Sequence, residues 1–294
     1  MKIGFIGLGI MGKPMSKNLL KKGYELVVCD VFQSAVDEIV KCGAIPALTP
    51  KEVAAQTDII ITMLPNSPHV EQVVLGKEGI IEGAKSGTIV IDMSSISPLV
   101  SREVAAKLAE KGIEMLDAPV SGGEPKAIDG TLSVMVGGKS HVFDSCYDIM
   151  KTMAASVVRT GDIGAGNVTK LANQIIVAIN IAGMSEALVL AAKAGVEPEL
   201  VYKAICGGLA GSTVLDAKAL LVMDRKFDPG FRINLHIKDL NNVMDTAHGV
   251  GVPLPITATV MEMMQALKVD GMGDDDHGSL IRYYEKMAQI EVKR

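Results

Sequence analysis

The chain has 294 residues, 48% hydrophobic and 21% charged, with a net charge of −5. That length exceeds what one hydrophobic core usually holds, so two domains are expected. The acidic balance offers no basic face, so neither nucleic acid nor membrane is expected as a partner. Cys29, Cys42, Cys146 and Cys206 are widely spaced and form no CxxC pair. They read as reduced thiols of a cytoplasmic protein, and no metal is expected. Seventeen methionines suit an adaptable core or a subunit interface. The first residues are apolar but lead straight into a glycine motif, which does not fit a secretory leader.

Along the chain, Ile3–Ile6, Glu25–Cys29, Ile59–Met63 and Thr88–Ile91 read as buried parallel strands. Met115–Leu116, Leu132–Val136 and Val157–Val158 mark further short strands. Between them, Met11–Lys22, Ser34–Lys41, Pro98–Lys111 and His141–Met150 carry helical patterns. Gly23, Gly43 and Gly112 stand where a glycine would end a helix, and Ser97-Pro98 reads as a helix start. Alternating strand and helix implies an α/β domain with a doubly wound sheet. After Gly161 the strand signal disappears. Val168–Lys193 reads as one long apolar helix ending at Gly195. Helical patterns follow at Pro198–Cys206, Ser212–Val222, Leu235–His248, Ile256–Lys268 and Ser279–Gln289. The expected division is therefore residues 1–162 and an all-α domain of residues 163–294, joined by the long helix. That helix is too apolar to face water unassisted, so packing within its own domain or homodimer or homotetramer assembly is expected.

Gly7-Leu8-Gly9-Ile10-Met11-Gly12 matches GxGxxG between a strand and a helix. In that setting Gly7 permits the turn, Gly9 lets backbone N–H groups approach a pyrophosphate, and Gly12 allows close packing. Asp30 ends the second strand about 20 residues on, where a carboxylate can accept from a ribose 2′-hydroxyl. It would repel a 2′-phosphate, and Val31 follows rather than arginine. NAD(H) is therefore expected, with NADP(H) the alternative. Leu64-Pro65 and Ser94-Ser95 follow strands of a doubly wound sheet, where ligands gather, so Leu64, Pro65 and Ser95 are candidate cofactor contacts. Asp117-Ala118-Pro119-Val120-Ser121-Gly122-Gly123 is a second unusual loop. Its hydroxyl and unhindered N–H groups suit a carboxylate or oxyanion. In Gly161–Asn173 a glycine loop runs into the long helix with Lys170 about one turn inside. The positive end of the helix dipole disfavours an ammonium and lowers its pKa, which suits a proton donor. Asn173 and Gln174 follow on the same helix face. Asp274-Asp275-Asp276-His277 reads as helix capping rather than as a metal site.

The run Gly7–Met15, the loop Asp117–Gly123 and the segment Gly161–Asn173 resemble the β-hydroxyacid dehydrogenase family, over the whole chain and in order. The family includes enzymes acting on 3-hydroxyisobutyrate, 6-phosphogluconate, 2-(hydroxymethyl)glutarate and tartronate semialdehyde. Met63–Val70, Asp117–Gly138, Thr160–Gln174 and Gly207–Lys218 are most similar to its branch that reduces tartronate semialdehyde. The resemblance implies NAD(H)-dependent interconversion of a small β-hydroxy acid and its aldehyde or ketone. It implies a catalytic Lys170, a substrate-carboxylate loop at Ser121, Gly122 and Gly123, and Lys238 near the nicotinamide. Many members carry asparagine four residues after the lysine, where this chain has Gln174. Asn173, taken with the catalytic group, and Gln174, taken with the substrate-binding group, both stay open as the lysine's amide partner. A non-catalytic, dinucleotide-sensing module is the alternative of a different class.

Overall fold

A computed structural model describes residues 2–294. They form two compact units, one running to Lys170 and the other from Leu171 to Arg294. The first unit carries nine strands: β1 (Lys2–Ile6), β2 (Glu25–Cys29), β3 (Ile45–Pro46), β4 (Ile59–Thr62), β5 (Ile89–Asp92), β6 (Glu114–Asp117), β7 (Val120–Ser121), β8 (Leu132–Gly137) and β9 (Ala154–Gly161). Their order is β3-β2-β1-β4-β5-β6-β8-β7, with β9 also paired to β8. From β3 to β6 the sheet is parallel. β8 then runs antiparallel to β6 and β7, and β9 parallel to β8. The chain moves outward from β1 in one direction and returns at β4 to build the other. The carboxyl ends of β1 and β4 are thus the switch point of a Rossmann-type sheet.

Alternate residues of the central strands feed two apolar layers, one on each face. Ile3, Phe5, Ile59, Ile61 and Ile91 enter one, and Ile6, Ile60 and Val90 the other. This is why the strands read as continuous apolar runs rather than alternating ones. The expected strands are all present, and Gly23, Gly43, Gly112 and Gly195 each follow a helix with positive φ. Ser97 stands at the N-cap of the helix Pro98–Ala109, but its side chain makes no cap bond. Instead its N–H donates to the Ser67 hydroxyl. Short elements escaped the sequence pattern: β3, β7 and the helices Pro50–Gln56, Ile80–Gly83 and Gly123–Asp129. Each is too brief to show a period.

The second unit is helical: Pro198–Ile205, Thr213–Met223, Ile233–Gly249, Pro255–Leu267 and Ile281–Ala288. Their core takes in Ala178, Ile181, Met184 and Leu188 of the long helix. By length and composition alone that helix could cross a membrane. It begins at Ala165, earlier than Val168. Gly164 and Gly166 mask the start, because glycine is a poor helix former. The compact division falls after Lys170, and the helix's first turns are hydrogen-bonded into the first unit. Gly164 N and Asn167 N donate to the two oxygens of Asp117, both at 2.7 Å.

Gly166 makes that seat geometrically feasible. A Cβ there would run into the backbone carbonyls of Asp117 and Met135. Neither carbonyl can move without breaking the sheet. Gly166→Ala is therefore expected to cost about 2 kcal/mol, the usual scale of overpacking. Thermal unfolding of the variant beside the parent checks this, and coincident curves would reject it.

Candidate functional site

The turn after β1 shows what each of its glycines is for. A Cβ on Gly7, whose φ is +98°, would strike the Met63 carbonyl, and one on Gly12 would strike the Gly7 carbonyl. Both positions are demanded by the chain itself. A Cβ on Gly9 would meet nothing within 4 Å. The lack of a side chain at Gly9 serves no contact of this protein, and it leaves the turn's backbone open to an outside group. Leu8 is buried, whereas Ile10 is exposed. Asp30 does more than the sequence suggested. Its Oδ2 accepts from Leu8 N at 2.6 Å and its Oδ1 from Phe32 N at 2.8 Å. The carboxylate thus buttresses the glycine turn, and each oxygen keeps a lone pair for a further donor. These features fit a dinucleotide: an open backbone turn at a helix N-terminus, and an oriented acid beside it.

A polar layer continues along the carboxyl ends of the next strands. Thr62 Oγ1 donates to Asp92 Oδ1 at 2.8 Å, and Ser94 N donates to the same oxygen at 3.2 Å. Leu64 N donates to Ser94 Oγ at 2.9 Å, which sets the course of Leu64-Pro65. Pro65 is exposed and Ser95 half-buried. Asn66 Oδ1 is buried and accepts no hydrogen bond among the described residues, an acceptor that a ribose hydroxyl would suit.

Asp117 is fully buried, directly beside Asp92 in the sheet register. It closes β6 and begins the run to Ser121, Gly122 and Gly123. Ser121 is half-buried and pairs with Ser133, Gly122 is exposed with a φ of +137°, and Gly123 opens a short helix. Burial pushes the Asp117 carboxyl up to about 7, against the pull of the N–H groups of Asn167 and Gly164 and with a smaller push from Asp92. Asn167, also fully buried, accepts from Ile96 N and donates to Ser101 Oγ, both at 3.1 Å. The helix start is thus held from three strand and helix ends. Lys170 lies in the second turn, slightly deeper than the one turn expected, and is only 7% exposed. Asp117 and Asn167 had no role in the sequence reading, although both sit inside the quoted motifs. The available signal was a lone acid closing an apolar strand, and an asparagine inside a helix start.

In the second unit Asn173 Nδ2 donates to Gln174 Oε1 at 2.8 Å, and Gln174 Nε2 donates to Asp239 Oδ2 at 2.6 Å. Lys238 Nζ lies 2.7 Å from Asp239 Oδ1. Gln174 and Asp239 are buried, whereas Asn173 is half-buried. The two amides therefore differ in kind: Gln174 is committed inside the unit, and Asn173 is the one with surface. Asp276 takes up the capping role, accepting from Gly278 N, Gly230 N and Phe231 N and pairing with Lys218.

Residues 2–161 match the model of the NAD binding domain of 6-phosphogluconate dehydrogenase. Residues 164–284 match that described as NAD-binding of NADP-dependent 3-hydroxyisobutyrate dehydrogenase. The chain belongs to the β-hydroxyacid dehydrogenase family. It is accordingly an NAD(P)-dependent oxidoreductase. It is 42% identical to 2-hydroxy-3-oxopropionate reductase of Escherichia coli, over 99% of this chain and 100% of that one. It is 38% identical to 2-(hydroxymethyl)glutarate dehydrogenase of Eubacterium barkeri, over 99% and 97%. A solved 3-hydroxyisobutyrate dehydrogenase of Mycobacterium tuberculosis superposes with a TM-score of 0.90 at 30% identity, covering 96% of this chain and 98% of that one.

The raised Asp117 carboxyl has a measurable consequence. It binds a proton more readily folded than unfolded between its ordinary 3.8 and about 7. Its contribution to stability therefore falls as pH rises through that window and levels off above it, by up to about 4 kcal/mol. Asp117→Asn should flatten this part of the profile. Unfolding followed from pH 4 to 8 tests it, and identical slopes in parent and variant would refute the assignment.

Proposed function

We propose that the enzyme reduces 2-hydroxy-3-oxopropanoate (tartronate semialdehyde) to D-glycerate, with NADH preferred over NADPH. The observation that carries the reading is Lys170: an ammonium buried to 7% exposure in the second turn of a helix whose start is pinned by Asp117. An ammonium at that depth is suited to exchanging a proton or meeting an anion. Similarity of the whole chain to the E. coli reductase supports the substrate. The similarity to 2-(hydroxymethyl)glutarate dehydrogenase keeps the broader class, small β-hydroxy acids and their aldehydes, as the frame.

A bound nicotinamide dinucleotide supplies the hydride. Gly7–Gly12 would hold its pyrophosphate and Asp30 its adenosine ribose, with Leu64, Pro65 and Ser95 as flanking contacts and Lys238 toward the nicotinamide. Ser121, Gly122 and Gly123 bind the substrate carboxylate through the hydroxyl and the backbone N–H groups. As the aldehyde becomes an alcohol, charge grows on its oxygen, and Lys170 gives that oxygen a proton. Asn173 orients the substrate. The same reading extends to a cytoplasmic enzyme that works as a homodimer or homotetramer.

Lys170→Ala is expected to lower kcat by roughly 10²–10⁴, the range of general acid help, while the NADH dissociation constant stays within a few-fold. Near-parental turnover would sink the role given to Lys170. Kinetics on tartronate semialdehyde and methylmalonate semialdehyde test the substrate, with the former expected to have the higher kcat/KM and the reverse order rejecting the reading. Asp30→Ala should raise the NADPH-to-NADH ratio of kcat/KM by about tenfold or more, since a carboxylate repels a 2′-phosphate. An unchanged ratio would place cofactor choice elsewhere.

A further inference from the structure

The glycine turn opens into a groove of about 680 Å³, walled by the helices Gly12–Lys21 and Gln33–Val40. Leu8 and Phe32, the two residues whose N–H groups Asp30 holds, both line it. So do Lys13 and Lys17, one turn apart on a single face of the first helix. Glu38 of the second helix takes one of them with each oxygen. Lys17 Nζ donates to its Oε1 at 2.6 Å, and Lys13 Nζ to its Oε2 at 2.8 Å. The bond from Lys13, then that from Lys17, holds the Glu38 carboxyl down at about 2. The bond to Glu38 raises Lys17 in turn. Both groups therefore stay charged at neutral pH. All three side chains are a third or more exposed, so the pairs add little to stability. Their effect falls on the field inside the groove.

We propose that Glu38 is a second specificity residue for the cofactor: by holding Lys13 and Lys17 it withholds two ammoniums from a phosphate on the adenosine ribose, and so discriminates against NADPH. This rests on the reading of Asp30 as the acceptor for the ribose 2′-hydroxyl. A phosphate on that hydroxyl would lie beside Asp30, at the groove that holds the two lysines. Lysine is a point charge on a flexible stem and pairs readily with phosphate. Here the phosphate could take either lysine only by stripping it from Glu38. The carboxylate would then be left unpaired and facing a dianion. Asp30 and Glu38 thus exclude the phosphate differently: the first repels it, and the second denies it partners. They also differ in what they hold. Asp30 supports the turn through Leu8 N and Phe32 N, whereas Glu38 holds only side chains on the far wall of the groove. Replacing Glu38 therefore changes the field and leaves the turn its support.

The test is binding of NADH and NADPH, followed by nicotinamide fluorescence without substrate, so it needs neither turnover nor Lys170. The two ligands differ only in the 2′-phosphate. Glu38→Gln keeps the shape of the side chain and removes its charge. It should tighten NADPH relative to NADH by about tenfold, the scale of a charge-assisted contact weakened by solvent. Glu38→Ala, which leaves no acceptor, should do so at least as strongly, and it supplies the answer should Glu38→Gln fail to fold. Two controls separate the lysines from net charge. Adding Lys13→Met and Lys17→Met to Glu38→Gln should abolish the gain. Asp37→Asn, the same change of charge one residue away, should move the ratio by no more than about twofold. The gain should also shrink between about 0.05 M and about 0.5 M NaCl, as screening requires. An unmoved ratio in both Glu38 variants would overturn the proposal. So would a gain that survives loss of the lysines, or one that Asp37→Asn matches. A parent that binds both cofactors alike would sink the preference for NADH, whereas the shift from parent to variant tests Glu38 in either case.

Discussion

Two hydrogen bonds to one buried carboxylate organise the first unit's half of the chemistry. Asp117 receives Gly164 N and Asn167 N at the start of the long helix. A helix end leaves backbone N–H groups unpaired, and a carboxylate satisfies them while sitting at the favourable end of the dipole. Usually that carboxylate comes from the residue just before the helix. Here it comes from the end of a central strand far away in sequence. The same residue leads directly into the Ser121–Gly123 turn. One side chain therefore sets both the origin of the helix that carries Lys170 and the root of the loop proposed to hold the substrate's carboxylate.

The cost of that arrangement is visible in its surroundings. Asp117 has Asp92 as its register neighbour, and both lie at full burial. Thr62, Ser94 and the helix N–H groups meet these acids with donors. Gly137 and Gly166 are bare where the seat is tight, since a Cβ on Gly137 would run into Asp117 Oδ1. Burial still dominates, which is why the carboxyl titrates far above its ordinary range. Polar groups at the strand ends are thus bound to one another first, and the fold places them with little slack.

Much of this is legible in the sequence. Strands β1, β2, β4 and β5, the glycine turn and the switch to an all-helical second half follow from runs of apolar residues and from punctuation by glycine and proline. What the pattern could not reach depends on contacts distant in sequence. Gly164 and Gly166 argue locally against a helix, and only Asp117 on a remote strand reverses that. Asp30 was read for a ribose, but its bonds to Leu8 N and Phe32 N require knowing that two turns lie side by side. Asn173 and Gln174 looked equivalent because both are amides on one helix face. They separate only when Asp239, from another helix, takes hold of one of them.

The glycine turn divides its three positions by who needs them. Gly7 and Gly12 are held bare by carbonyl groups of the protein's own backbone, and Gly9 by nothing in the chain. A descendant that abandoned its dinucleotide would still have to keep the first and the last, or lose the turn. The middle position alone would be released to drift. Among proteins of this architecture, a side chain appearing there, between two persisting glycines, would mark a fold that has outlived its ligand.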